Sequence, residues 1–178
     1  MDVDAIAGDP GLCDVLTAMD AQAIVALLAA CAPSVHPATA LSLIEVESAF
    51  NPHAIGVVAG VLERQPRSRA EALVTARSLA AQNIDFSVGL AQINARNLAR
   101  LGLSLEQAFD PCQNVAAMAN LLAQCLDRAG GSTPQVRIRR ALSCYYSGDF
   151  STGFRHGYVS RVAAAAKRSA GRAPRPPP

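Results

Sequence analysis

A chain of 178 residues, 51% of them hydrophobic, is long enough for one domain with a sizeable core. Aromatics make up only 4% and tryptophan is absent, so close packing of alanine-rich helices fits better than a strand-rich sandwich. The formal charge of +2, with arginines scattered except at 137–140 and near the C-terminus, argues against a dedicated nucleic-acid binder.

In chain order, Asp9-Pro10 supplies an N-cap and a first-turn proline for a helix that breaks near Asp20. The apolar run 21–32 contains Leu28-Ala29-Ala30-Cys31, which resembles the site where bacterial lipoproteins are cut. Residues 1–20 carry five aspartates and no lysine or arginine, the reverse of a signal peptide's basic start, and the run is too short to cross a bilayer. It therefore reads as a core helix, with no transmembrane segment and no signal peptide visible. A leader replaced or removed upstream, another export route, and a role inside the cell all stay open.

Pro37 opens a second helix, from 38 to about 48, which Asn51-Pro52 ends. Glu47 lies near its C-terminal end. Leu43 and Ile44, four and three positions earlier, share its helical face at about 100° per residue, whereas Glu45 points the other way. A carboxyl group beside an apolar face loses hydration when ionised, which raises its pKa and suits it to general acid work. The alternative is a helix-end glutamate in solvent.

Residues 54–64, with Ile55, Val57, Val58, Val61 and Leu62 around Gly56 and Gly60, suit a short hairpin or an irregular pair of extended segments, and carry the one convincing strand signal. Ser68 and Glu71 form a capping box for a helix over 69–82. Residues 83–94 lead into a short helix ending at Gly102. Here Gln92 and Asn94 follow a glycine that permits close backbone approach. Their amides suit sugar hydroxyl and acetamido groups, or equally capping and turn hydrogen bonds.

Ser104 with Gln107, and Asp110-Pro111 with Gln113, start two more helices, the second reaching Ala129. Thr133-Pro134 starts the next, which carries Tyr145 and Tyr146 before Gly148; these rings could pack, hydrogen-bond a carboxyl group, or stack on a sugar face. Residues 153–158 read as a glycine-punctuated turn, 159 to about 169 as a last alanine-rich helix, and the Pro/Arg-rich end as disordered. His36, His53 and His156 show no triad pattern and are assigned structural roles. Cys13, Cys31, Cys112, Cys125 and Cys144 form no CxxC pair and no zinc spacing, so neither metal nor cofactor is expected. They fit two disulfides plus a free thiol in an oxidising compartment, or buried cysteines in a helical core.

Three ordered segments carry a resemblance: Ile44-Glu45-Val46-Glu47-Ser48-Ala49-Phe50-Asn51-Pro52, Gly89-Leu90-Ala91-Gln92-Ile93-Asn94, and Ala141-Leu142-Ser143-Cys144-Tyr145-Tyr146-Ser147-Gly148. Together they resemble the motifs of soluble-type lytic transglycosylases. Ala54-Ile55-Gly56-Val57, Phe109-Asp110-Pro111-Cys112-Gln113-Asn114 and Gly153-Phe154 with Gly157-Tyr158-Val159 look like the group that accompanies type IV secretion and conjugation machines.

The resemblance implies a mainly α, lysozyme-like single domain with a small β element over 33–168. A helical segment, 1–32, would pack on it, and a disordered tail, 169–178, would follow. It further implies a periplasmic lyase that binds peptidoglycan glycan strands, cuts between N-acetylmuramic acid and N-acetylglucosamine, and works beside secretion or conjugation subunits. Glu47 would be the sole catalytic acid and base. Ser48 would order the catalytic loop, Gln92 and Asn94 would border the sugar sites, and Tyr145 would hydrogen-bond near Glu47. Tyr146, another expected substrate contact, departs from the asparagine found in many relatives. The substrate's N-acetyl group would stabilise the oxocarbenium-like state, and a Cys112–Cys144 disulfide would fit the compartment. A water-using muramidase of the same fold and a non-catalytic peptidoglycan-binding assembly factor are the alternatives.

Overall fold

A computed structural model describes residues 21–58 and 60–172. The proposed helix after Asp9-Pro10, and Cys13, lie outside them. Among the described residues the chain is mainly helical with one three-stranded sheet, as the resemblance implies. Helix α1 (Ala21–Cys31) packs on α2 (Pro37–Ser48) and on α6 (Pro111–Arg128). Further helices are α3 (Arg69–Ala81), α4 (Leu98–Leu101), α5 (Leu105–Ala108), α7 (Pro134–Ser147), α8 (Thr152–Arg155) and α9 (Tyr158–Arg172).

The expected caps form. Ser68 accepts from the Glu71 N–H, Ser104 and Gln107 make a reciprocal capping box, and Asp110 and Thr133 accept from the third residue of α6 and α7. His36 acts as the N-cap of α2, its Nδ1 accepting from Ala38 N at 3.3 Å.

The sheet differs from the expectation. Strand β1 (Ile55–Val57) does not turn back on itself within 54–64; it pairs antiparallel with β2 (Phe86–Val88), which pairs with β3 (Ile93–Asn94). On its other side the Gln65 amide replaces a strand, accepting from Ile55 N at 2.8 Å and donating to Ile55 O at 2.9 Å. One side chain thus satisfies the backbone groups that a hairpin partner would have used. Residues 153–158, read as a turn, overlap the short helix α8 and the start of α9, which continues through Arg172, so 169–172 are helical and not tail. Residues 173–178 lie outside the described set.

The core is continuous: Leu43 and Ile44 of α2, Phe86 and Val88 of β2, Met118 of α6 and Tyr158 of α9 are all essentially inaccessible. Two disulfides staple it, Cys31–Cys112 and Cys125–Cys144. This corrects the Cys112–Cys144 pairing. Cys112 and Cys125 lie about 20 Å apart along one helix at 1.5 Å per residue, so Cys144, bonded beside Cys125, is out of reach of Cys112.

Candidate active site

Helix α2 delivers Glu47 to a groove because of how it stops. Ala49 and Phe50 both take left-handed backbone, φ 49° and 66°, and the Ala49 N–H bonds to Glu45 O, so the chain turns away immediately after Glu47-Ser48. Neither residue is glycine, so each left-handed turn carries strain held by surrounding structure. Glu47 stays at the helix end with its side chain in the groove.

The groove, about 480 Å³, runs between the sheet and the helical body. Its lining includes Gly56, Gln92, Asn94 and Asn97 from the sheet and its flanking turns, and Tyr145, Tyr146, Thr152 and His156 from α7, α8 and the turn after α8. Among its lining residues Glu47 is the one carboxyl group. Glu45 is on the opposite side of α2, paired with Arg168 at 2.6 Å. Asp85 is held by Asn94 Nδ2 at 2.8 Å and Arg96 Nη1 at 3.1 Å. A larger hollow between α6, α7 and the α1–α2 turn has no carboxyl group in its lining and so offers no acid.

Tyr158 holds Glu47. Its hydroxyl donates to Glu47 Oε1 at 2.5 Å, and no described residue bonds Oε2, which is left to carry a proton. Burial raises the Glu47 pKa to about 7; the Tyr158 hydrogen bond and the Arg161 charge pull it down by less. Burial first, and the Glu47 charge second, push the Tyr158 hydroxyl far up, so it remains a donor.

Tyr145 stands beside Glu47, but its hydroxyl donates to Ala91 O at 2.6 Å and not to the carboxyl group. It therefore fixes the segment that presents Gln92. That segment is further held by Asn114, fully buried, whose Oδ1 accepts from Ala91 N while Nδ2 donates to Val88 O and Ala108 O. Asn114 also explains Gly89: φ is 79°, and a Cβ there would lie 2.3 Å from Asn114 Nδ2.

Gln92, itself left-handed at φ 49°, donates from Nε2 to Ala54 O and Gly89 O, bridging to the start of β1. Its Oε1 would lie 2.5 Å from a Cβ at position 56, which is why a glycine stands there. Asn94 caps the following 3₁₀ turn through Arg96 N while bonding Asp85. Both amides thus line the groove and make turn hydrogen bonds at once. Ser48 does not line it; its hydroxyl bonds back to Ile44 O at 3.3 Å, and its carbonyl accepts from Asn51 N in the turn after α2. Tyr146 lines the groove, stacked on Tyr158.

Sequence reasoning missed Tyr158, Asn114 and His156. Tyr158 and Asn114 sit in segments that carried the resemblance, but no periodicity links Tyr158 to a glutamate 111 residues earlier. Among the described residues no cluster of His, Cys, Asp and Glu could hold a metal ion.

Residues 25–166 match the family model of the transglycosylase SLT domain. The type IV secretion system protein virB1 of Brucella abortus biovar 1 (strain 9-941) is 46% identical over 144 residues, covering 76% of this chain and 60% of its own length. Protein virB1 of Agrobacterium fabrum (strain C58 / ATCC 33970) is 41% identical over 143 residues, covering 78% and 57%. That of Rhizobium radiobacter is 40% identical over 142 residues, covering 77% and 58%. The chain thus spans about three-fifths of the length of these relatives. No solved structure gives a significant match.

Proposed function

The chain belongs to the transglycosylase SLT domain family, and from that premise we propose that it is a lytic transglycosylase that cuts peptidoglycan glycan strands beside a type IV secretion or conjugation apparatus. The observation that carries this reading is Glu47 as the one carboxyl group among the described residues that line the groove, held by Tyr158 and with its pKa raised by burial to about 7.

Glycosidases that use water or a covalent intermediate place a second carboxyl group about 5 to 9.5 Å from the first. A groove with one carboxyl group favours a reaction in which the same group acts twice. Glu47 first gives its Oε2 proton to the glycosidic oxygen between N-acetylmuramic acid and N-acetylglucosamine, and the C1–O bond breaks. The new carboxylate then takes the proton of the muramoyl 6-hydroxyl as O6 bonds to C1. The 1,6-anhydro ring closes, Glu47 is protonated again, and no water is consumed. Tyr158, donating throughout, steadies the carboxylate between the two steps.

The two disulfides favour an oxidising compartment such as the periplasm. Among the described residues no helix is long and apolar enough to cross a membrane. The working unit in this reading is the lysozyme-like body over 33–168 with α1 docked on it.

The test is digestion of purified peptidoglycan by wild type and Glu47→Gln. Wild type should release 1,6-anhydromuropeptides and the variant none. Products with ordinary reducing ends would mean a hydrolase, and no product from wild type would mean a binding factor.

A further inference from the structure

Tyr146 is 41% exposed, yet its ring is held on two sides. One face lies against the Tyr158 ring, with centroids 4.6 Å apart and an interplanar angle of 19°. The His156 ring meets it edge-on at 5.9 Å and 82°, and the Tyr146 hydroxyl lies 3.3 Å from His156 Nδ1. Behind this pair, Tyr158 is 1% exposed and bonds Glu47. A connected line therefore runs from the groove wall to the acid: His156, Tyr146, Tyr158, Glu47.

We propose that Tyr146 is a positioning residue for Glu47, acting through Tyr158, whose ring it covers from the groove side. The proposal rests on the reading of Glu47 as the acid. A ring stacked at 4.6 Å excludes water from the face it covers and limits how far Tyr158 can turn, which keeps its hydroxyl on Oε1. A branched aliphatic side chain at 146, with no flat ring to lie over Tyr158, would leave part of that face open. Water would then reach the Tyr158–Glu47 bond and rehydrate the carboxylate, easing the burial that chiefly raises the Glu47 pKa.

The titratable groups coupled to Glu47 are Tyr158 and Arg161 of α9 and Tyr145 of α7, while Gln92, Asn94 and His156 line the same groove. Tyr145 is anchored at Ala91, and Arg161 donates to His156 O, so each has a hold of its own that does not depend on the Tyr146 ring. If Tyr146 were instead only a stacking surface for a sugar, its loss would raise KM and leave the titration of Glu47 in place.

The experiment follows the Glu47 carboxyl by NMR in protein carrying ¹³C-carboxyl glutamate, with the signal assigned by its absence in Glu47→Gln, across wild type, Tyr146→Leu and Tyr146→Phe. Tyr146→Leu should lower the Glu47 titration by about one pH unit, a tenfold change in its proton affinity, because burial is the larger influence on this carboxyl group and its easing outweighs any loosening of the Tyr158 bond. The alkaline limb of the kcat profile should move with it. Tyr146→Phe keeps the stacked ring and should titrate as wild type. A wild-type titration in Tyr146→Leu, or equal shifts in both variants, overturns the proposal whatever happens to KM. The titration is read without substrate, so it stands apart from the transglycosylase reading, which fails separately if wild type forms no anhydro product.

Discussion

Tyr158 and Glu47, 111 positions apart in the chain, meet in a 2.5 Å hydrogen bond in which the tyrosine donates. The bond stabilises the ionised carboxyl group, burial disfavours it, and burial wins. Tyr158→Phe keeps the ring and its stack on Tyr146 but removes the donor. Glu47 should then titrate higher, so the alkaline limb of the pH–rate profile moves up. The carboxylate of the second step loses its support, and kcat should fall roughly tenfold or more. A profile and kcat equal to wild type would show that the bond plays no part in turnover.

The same carboxyl group links stability to pH. Its pKa is about 7 in the folded state against 4.5 for the ordinary group, so between these values the folded protein holds a proton that the unfolded chain has released. Stability contributed by this group is complete below about pH 4.5 and is lost as pH rises through about 7, by up to about 3 kcal/mol. Denaturant melts of wild type and Glu47→Gln from pH 4 to pH 8 isolate the term, because all other titrating groups are shared. The variant should gain on wild type as pH rises; a constant difference would contradict the burial argument.

Asn114 joins three backbone groups of the Gln92 segment and α5 with one side chain. Asn114→Leu leaves the Ala91 N–H and the Ala108 carbonyl without that partner in a sealed core. It should cost about 3 kcal/mol or more in chemical denaturation. The Gln92 segment would lose one of its holds, leaving Tyr145 on Ala91 O, so activity should fall further than stability alone explains.

The Cys31–Cys112 bridge spans 81 residues and ties α1 to the start of α6. The double variant Cys31→Ser, Cys112→Ser should lose about 2–4 kcal/mol, and the reducing agent that destabilises wild type should affect the variant less. Equal sensitivity of the two proteins would mean that this bridge is not a staple.

Local chemistry was legible and long-range pairing was not. Ser68, Ser104, Asp110 and Thr133 announced their helices because a cap is settled within four residues. Of the six residues the motifs pointed to, Glu47, Gln92, Asn94, Tyr145 and Tyr146 line one groove in the structure and Ser48 does not. The strand partner of Ile55 was missed because it lies beyond α3, and because Gln65 occupies the edge where a hairpin was expected. Yet Ile84, Phe86, Val88 and Leu90 alternate, and that period could have marked β2. The disulfide pairing depended on how α1 and α7 approach α6, which no spacing records.

The most direct measurement is mass spectrometry of muropeptides released by the wild-type protein in ¹⁸O-labelled water. Ring closure by the muramoyl 6-hydroxyl, with Glu47 as the only acid and base, predicts products one water lighter than reducing-end muropeptides and free of ¹⁸O. Reducing-end products that each carry one ¹⁸O at C1 would show that water attacks, and would contradict the account.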